Sequence, residues 1–128
     1  MSSAAMSRPD ASLEDDLYAV EQGFWTGGAD YYRAHLDARC LVAFVGMAGV
    51  MANEDVAKSA GDGDRWMDLS IARKGYLQPT ADTALLTYEA SATRAGGEPY
   101  KALVTSAYAS HGGEWKMVLH TQTPLDPA

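Results

Sequence analysis

The stretch at residues 82–110, DTALLTYEASATRAGGEPYKALVTSAYAS, decides the fold of this chain. It holds two extended runs, Asp82–Ala95 and Glu98–Ser110, which are separated only by Gly96-Gly97. Adjacent glycines between such runs are typical of a tight hairpin, because primed turns need positive φ angles that glycine adopts at little cost. The stretch therefore predicts two long strands that pair in antiparallel fashion.

A further extended run lies on each side of this hairpin. Arg65–Gln78 precedes it across residues 79–81, and Glu114–Thr123 follows it across residues 111–113. Strands of this length would reach roughly 35–45 Å at about 3.3 Å per residue, and a sheet of such strands must coil under its own twist. A coiled sheet has a concave face, which the first half of the chain must cover. The sequence thus predicts a cone with a pocket inside.

The first half of the chain is predicted to be mainly helical. Apolar residues recur at the spacing of one helical face from Leu13 to Phe24, and Gly27-Gly28 follows them. The elements expected here are helices at about 12–26, 29–36 and 54–60, a strand at 40–45 and a short partner strand around 50–51. The order α-α-β-β-α-β-β-β-β indicates an α+β, cystatin-like fold, in which three N-terminal helices close a strongly curved, mostly antiparallel sheet of about six strands.

Length and charge set the class of protein. Residues 12–128 suffice for a single domain with a real core, and residues 1–11 are predicted to be a disordered tail. The net charge of −7 and the pI near 4.7 argue against nucleic acid and against an anionic membrane surface as partners. The single cysteine, Cys40, excludes an internal disulfide, and no run reaches transmembrane length. We expect a cytoplasmic protein.

Three short motifs, taken in order, resemble one known superfamily. They are FWTGGADYY at residues 24–32, LDARC at residues 36–40 and GEWKMV at residues 113–118. Together they are similar to the SnoaL-like, nuclear-transport-factor-2-like superfamily over about residues 12–124. The resemblance implies a cone of curved sheet, usually a dimer, with a pocket in the cone. Members include ketosteroid isomerases, polyketide cyclases, dehydratases, hydrolases and non-catalytic binding or assembly domains, so the fold does not choose a function.

The same resemblance argues against one activity. The ketosteroid isomerases carry a catalytic Asp near the end of the strand that matches Cys40–Val45, where this chain has no acid. The position of their oxyanion-hole Asp is occupied here by Ser106. The position of their helix Tyr falls at Glu21 or Gln22, and neither is a tyrosine. Steroid isomerisation is therefore not expected.

The turns predict a register for the sheet. If both Gly-Gly pairs are two-residue turns, Glu89 opposes Val104. The face that would then point into the cone carries Leu85, Thr87, Glu89, Tyr100, Val104, Ser106, Tyr108, Trp115, Met117, Leu119 and Thr121. The opposite face, rich in alanines such as Ala90 and Ala107, is predicted to form a homodimer interface.

This register makes Glu89 the first candidate catalytic residue. A carboxylate among apolar side chains has a raised pKa and is suited to general acid or base catalysis, whereas a solvated or ion-paired glutamate at a strand end is the alternative. The residues expected to contact a ligand are Ser106, Tyr108, Met117, Leu119 and Thr121 in the cone, with Trp25 and Tyr32 near its mouth.

His120 is the second candidate catalytic residue. Histidine transfers protons near neutral pH, while a structural or interface role in the strand is the alternative. The histidines and the lone cysteine show no metal-ligand spacing, and no phosphate-binding loop or nucleophile motif is present. The sequence predicts neither a metal nor a cofactor.

Two hypotheses of different classes remain open. The first is a cofactor-independent acid–base enzyme of the isomerase, cyclase, dehydratase or hydrolase type, acting on a small, largely apolar ligand. The second is a non-catalytic, dimeric ligand-binding or assembly module. A buried carboxylate or histidine at the base of a closed pocket favours the first hypothesis, and a filled or fully apolar cone favours the second.

Overall fold

A computed structural model describes residues 9–60, 66–94 and 97–125. The helices are α1 (Pro9–Thr26), α2 (Ala29–His35) and α3 (Asn53–Ala60); the strands are β1 (Leu36–Phe44), β2 (Met47–Ala52), β3 (Trp66–Thr80), β4 (Thr83–Arg94), β5 (Pro99–His111) and β6 (Glu114–Pro124). Their order is the predicted one. Helix α1 begins at Pro9, inside the tail predicted for residues 1–11, and residues 1–8 of that tail lie outside the described residues.

The strands form one curved, unclosed sheet in the order β2-β1-β6-β5-β4-β3. Strands β1 and β6 run parallel, and the other neighbours are antiparallel. The predicted α+β fold is confirmed, with one parallel pair that the sequence did not indicate. Strand β1 begins at Leu36, where the LDARC motif starts, and not at Cys40, where the apolar run begins.

The helices cover the concave side of the sheet, which we call the inner face. Side chains buried there alternate along β4, so that Leu86, Tyr88 and Ala90 are buried while the residues between them are half-exposed. Strictly alternating burial is what one covered face produces in a pleated strand. Helix α1 contributes Leu17 and Trp25 to the same core.

The predicted pairing of β4 with β5 is wrong by one residue. Tyr100 lies opposite Ala92, and Glu89 lies opposite Leu103. The backbone N–H of Arg94 donates to the carbonyl of Glu98 at 2.8 Å, so the strands close on Arg94 and Glu98, with one more residue between them than the predicted two-residue turn has. Because side chains alternate between faces, this single extra residue turns every β4 side chain over.

Strand β6 contains a second departure from the predicted register. Tyr108 lies opposite Met117, as predicted, but Ala107 lies opposite Leu119, and Val118 is the additional residue of a β-bulge. Beyond this bulge, Ser106 faces His120 instead of Leu119.

These two shifts exchange several residues between the faces. Side chains that belong to the inner face include Tyr88, Ala90, His120 and Gln122, and those on the uncovered outer face include Glu89, Leu119 and Thr121. The predicted composition of the alanine-rich dimer face is therefore wrong, because Ala90 is 1% exposed within the core, although Ala107 lies on the outer face as predicted.

Candidate functional site

A cavity of about 240 Å³ lies between the helices and the inner face of the sheet. Most of its wall is apolar, formed by Leu36, Cys40, Val42, Phe44, Val56 and Met117 from β1, α3 and β6. Aromatic side chains of α1, α2 and β3 complete it, namely Phe24, Trp25, Tyr32 and Trp66. The wall thus resembles a typical small-molecule site, which is mainly apolar with few polar groups.

Besides its aromatic residues, the wall contains the polar side chains Ser59, His120 and Gln122. The hydroxyl of Ser59 donates to the carbonyl of Val56 at 2.6 Å, so it is already satisfied within α3. His120 and Gln122 are close neighbours on β6, and both are half-buried. The polar chemistry of the cavity is therefore concentrated on two adjacent side chains.

A chain of hydrogen bonds orients His120. Its Nδ1 lies 2.9 Å from Oγ of Ser106, which is fully buried, and its Nε2 lies 3.2 Å from Oε1 of Gln122. The amide nitrogen of Gln122 donates to the hydroxyl of Tyr100 at 2.9 Å, which leaves its Oε1 as an acceptor. We call these four residues the His120 cluster.

These hydrogen bonds assign the tautomer of the neutral imidazole. Because Oε1 of Gln122 can only accept, Nε2 of His120 carries the proton, and Nδ1 accepts from the hydroxyl of Ser106. Nδ1 is directed to a buried residue, whereas Nε2 is directed to another residue of the cavity wall. His120 consequently offers an N–H donor on its cavity side.

A second polar group lies deeper, behind the aromatic wall. Glu21 of α1 is fully buried and accepts hydrogen bonds from the hydroxyls of Tyr88 at 2.6 Å and Tyr108 at 2.5 Å. The indole Nε1–H of Trp25 donates to the hydroxyl oxygen of Tyr88 at 3.1 Å. We call these four residues the Glu21 cluster.

The tyrosines of this cluster remain protonated donors. Burial, and after it the negative charge of Glu21, raises the pKa of both Tyr88 and Tyr108 far above the ordinary tyrosine value. Both phenol rings are fully buried. Their hydroxyls are therefore fixed hydrogen-bond donors to the carboxylate.

The sequence reasoning missed Glu21 as a site residue. A usable signal was present, because Glu21 follows Leu17 by four residues and precedes Trp25 by four, on a helix face that is otherwise buried. A carboxylate on such a stripe must find hydrogen-bond partners.

A cluster of aromatic side chains connects α1 with β3 and β5. The ring centroids of Trp25 and Trp66 are 5.3 Å apart, and those of Trp66 and Tyr100 are 5.0 Å apart. The guanidinium of Arg94 lies over Trp66 and Tyr100, at 5.0 Å and 5.3 Å from their centroids. These cation–π contacts hold one positive charge beside the aromatic wall.

The predicted site residues thus separate into three groups. Those that line the cavity are Trp25, Tyr32, Met117 and His120. Ser106 and Tyr108 are buried behind the wall, where they contact His120 and Glu21. Glu89, Leu119 and Thr121 lie on the outer face, away from the cavity, so the expected position of Glu89 in the cone is wrong.

Cys40 is the remaining reactive group in the wall. It is 1% exposed, and burial raises the pKa of its thiol to about 12, so it behaves as a small apolar side chain. Among the described residues no cluster of histidine, cysteine or acidic side chains could hold a metal ion. None of the helices in residues 9–60 is long and apolar enough to cross a membrane.

The curved sheet and its three helices match a known architecture. The chain has the nuclear-transport-factor-2-like fold. A candidate ketosteroid isomerase from Parabacteroides distasonis superposes with a TM-score of 0.70 at 13% identity, covering 87% of this chain and 86% of that one. This finding confirms the predicted fold family.

Other structures with this nuclear-transport-factor-2-like cone differ in their described roles. An NTF-2-like protein of unknown function from Shewanella oneidensis has a TM-score of 0.69 at 12% identity, covering 89% of this chain and 98% of that one. The association domain of CaMKII from C. elegans has a TM-score of 0.67 at 13% identity, covering 91% and 99%. No protein-family model and no curated protein matches the chain. At these identities the likeness establishes the fold alone.

Proposed function

We propose that the cone binds a small, largely apolar molecule that carries a hydrogen-bond acceptor oxygen, and that His120 receives this oxygen. The observation that supports the proposal is the adjacent polar pair His120 and Gln122 in a mainly apolar and aromatic wall. The N–H at Nε2 suits a carbonyl or an anionic oxygen rather than another donor.

The size of the cavity limits the ligand. Its volume of about 240 Å³ lies below the usual range of drug-sized pockets, which is about 300–1,000 Å³. A molecule with one ring, or a short branched chain, fits this space better than a fused polycyclic compound. The lack of space agrees with the argument from the sequence against steroid isomerisation.

His120 also supports the enzymatic form of this proposal. An imidazole that donates to a carbonyl oxygen polarises it, and imidazole can transfer a proton near neutral pH. The hydroxyl of Ser106 holds Nδ1, so the ring is kept in one orientation. Acid–base chemistry at or beside the bound oxygen would therefore use His120 and not Glu89.

Two isosteric probes test the binding proposal. Acetophenone and α-methylstyrene differ only in that C=CH₂ replaces C=O. We expect the wild-type protein to bind acetophenone about tenfold more tightly, as one hydrogen bond worth about 1.4 kcal/mol allows. In His120→Phe this preference should disappear, while the hydrocarbon still binds. Titration monitored by NMR measures both affinities.

Each outcome of this experiment has a clear meaning. Glu89→Gln is the matched control, because it changes a polar residue of the outer face and should leave both affinities unchanged. If the wild type binds neither probe, the proposed function is wrong. If His120→Phe keeps the preference for the ketone, another group receives the oxygen.

We also propose that the protein forms a homodimer through the outer face. One row of apolar residues crosses all six strands there in register, namely Val50, Leu41, Leu119, Ala107, Leu85 and Leu77. Val50, Leu41 and Leu77 are 62%, 47% and 61% exposed. We call these six residues the outer row.

A second copy of the chain is the partner that best fits this surface. The outer row carries no charge, although the chain has a net charge of −7 that repels another copy elsewhere. The next row consists of small and threonine side chains, namely Ala48, Ala43, Thr121, Thr105, Thr87 and Gly75, which permit close approach of a second sheet. One structural neighbour is described as an association domain.

Charge reversal on the outer row tests the dimer. Leu41→Glu should give monomers in analytical ultracentrifugation at micromolar concentration, because the charge would be buried between two sheets. Val45→Glu is the control, since Val45 is 81% exposed beyond the end of β1 and outside the row. A wild-type protein that sediments as a monomer contradicts this part of the proposal.

A further inference from the structure

We infer that Tyr88 is a positioning residue of the cavity: anchored by Glu21, it keeps the indole N–H of Trp25 turned away from the ligand. Trp25 then presents only its apolar surface to the cavity, so this wall selects the hydrocarbon part of a ligand. The consequence for selectivity rests on the proposed binding function. The positioning of Trp25 can be tested without any ligand.

The direction of each hydrogen bond follows from the residue types. An indole N–H can donate but cannot accept, so the hydroxyl oxygen of Tyr88 must accept from Trp25. The hydroxyl proton of Tyr88 must then point elsewhere, and Oε1 of Glu21 is 2.6 Å away. Tyr88 is thus the one link between the indole and the carboxylate.

Glu21 is the final acceptor in the series of hydrogen bonds that runs from Trp25 through Tyr88. Its two oxygens each accept from one tyrosine, Oε1 from Tyr88 and Oε2 from Tyr108. All three side chains are fully buried, so water does not compete for these bonds. Reversal of the chain would leave either the indole N–H or a tyrosine hydroxyl without a partner in the core.

The position of Trp25 in the cavity wall gives this series of hydrogen bonds a role in ligand recognition. Trp25 lines the cavity, whereas Tyr88 and Glu21 do not. The N–H of Trp25 is therefore directed out of the cavity, whereas Nε2 of His120 is directed to another residue of the cavity wall. A bound molecule is oriented with its oxygen at His120 and its hydrocarbon part at Trp25.

The two tyrosines provide a matched pair of variants. Tyr88→Phe and Tyr108→Phe each remove one donor from Glu21 at a fully buried position, but only Tyr88→Phe removes the acceptor of Trp25. In ¹⁵N-labelled protein, with the Trp25 signal assigned from Trp25→Phe, Tyr88→Phe should shift the indole N–H resonance upfield. Its hydrogen exchange should become several-fold faster. Tyr108→Phe should leave both unchanged.

The same pair separates positioning from a general loss of stability. In Tyr88→Phe the freed indole N–H becomes a polar group in the cavity wall, so α-methylstyrene should bind about five- to tenfold more weakly while acetophenone changes less. Tyr108→Phe should keep the wild-type ratio of the two affinities. A ratio that moves equally in both variants would show that Tyr88 acts only through stability, and the inference would be wrong.

Glu21→Gln sharpens the assignment. The carbonyl oxygen of the new amide can accept from Tyr88, while its NH₂ group donates to the hydroxyl of Tyr108. In the opposite orientation of the amide, its NH₂ group and the indole N–H of Trp25 would both donate to the hydroxyl oxygen of Tyr88, and the hydroxyl proton of Tyr88 would lose its acceptor. We therefore expect Glu21→Gln to retain the wild-type Trp25 signal, and a free indole N–H in this variant would contradict the proposed direction of the chain.

The wild-type protein supplies a check if Tyr88→Phe does not fold. Of the three indole N–H groups, that of Trp25 should exchange most slowly, and exchange as fast as that of Trp115 would overturn the inference. If the wild type binds neither probe, the proposed binding function fails, and with it the effect on selectivity. The indole measurements then still decide whether Tyr88 positions Trp25.

Discussion

The Glu21 cluster and the His120 cluster occupy the same cone but differ in how completely their hydrogen bonds are closed. In the Glu21 cluster every donor has a buried acceptor, and Glu21, Tyr88 and Tyr108 are fully buried. In the His120 cluster one end is the buried Ser106, while His120 and Gln122 are half-exposed at the cavity.

This difference indicates that one cluster stabilises the cavity wall and that the other has polar groups available to a ligand. A closed, buried network rigidifies its surroundings and has no free group to offer a ligand. A half-exposed pair can exchange the weak 3.2 Å bond between His120 and Gln122 for a bond to a ligand. The Glu21 cluster therefore shapes the wall, and the His120 cluster is the group that would contact a ligand in the proposed function.

The largest expected effect is loss of the acceptor in the Glu21 cluster. Glu21→Ala leaves the hydroxyl protons of Tyr88 and Tyr108 buried without an acceptor, which should reduce the free energy of unfolding by about 2–6 kcal/mol. Glu89→Ala, on the outer face, should change it by about 0.5 kcal/mol or less. Urea denaturation of both variants measures the contrast, and equal losses would contradict the assignment of faces.

An intermediate effect is expected at alkaline pH. Burial raises the pKa of Tyr88 and Tyr108 in the folded protein, so above about pH 10 the unfolded chain loses protons that the folded chain retains. Below about pH 10 this contribution to the free energy of unfolding is fully present. Above that pH, the free energy of unfolding should fall by about 1.4 kcal/mol per pH unit for each such tyrosine. The raised pKa of Cys40 acts in the same direction from about pH 9.

Removal of one tyrosine identifies the source of this slope. Tyr88→Phe should reduce the slope of the free energy of unfolding against pH by the contribution of one tyrosine, which is about 1.4 kcal/mol per pH unit. Tyr108→Phe should reduce it by the same amount. Denaturation between pH 8 and pH 11 gives both slopes. Wild-type behaviour in either variant would show that the phenol ionises in the folded protein as readily as in the unfolded chain.

The smallest effect is expected in the His120 cluster. Ser106→Ala removes one hydrogen bond at Nδ1 of His120 and should cost about 0.5–1.5 kcal/mol of stability. It should also allow the proton to redistribute between the ring nitrogens, which ¹⁵N chemical shifts of the imidazole report. Ser91→Ala, on the outer side of β4, is the control and should alter neither quantity. An unchanged tautomer ratio in Ser106→Ala would mean that Gln122 alone orients the ring.

The failure of the predicted register shows where sequence reasoning stops. Each of the two errors arises from a single residue, one between Arg94 and Glu98 and one at the Val118 bulge. Each leaves the position of the strand along the chain unaltered but reverses which side chains face inward. This is why Glu89 was predicted in the cone and His120 entered it only as the alternative candidate.

The predicted aromatics illustrate the opposite case. Trp25 and Tyr32, which were expected near the mouth of the cone, are among the residues that line the cavity; they lie at the end of α1 and in α2, whose helical period does not depend on strand pairing. Met117 also lines it, since it precedes the bulge in β6. Residues placed by local periodicity were thus predicted more securely than residues placed by register.

The sequence by itself determined the order of elements, the long strands and the cone, because hydrophobic periodicity and glycine-containing connections act over a few residues. Only the tertiary structure decided that Glu21 lies between two tyrosines from β4 and β5, 67 and 87 positions away in the chain. It also decided which sheet face the helices cover. Both depend on one-residue differences in strand pairing, whose energy comes from packing across the whole sheet and not from any local pattern.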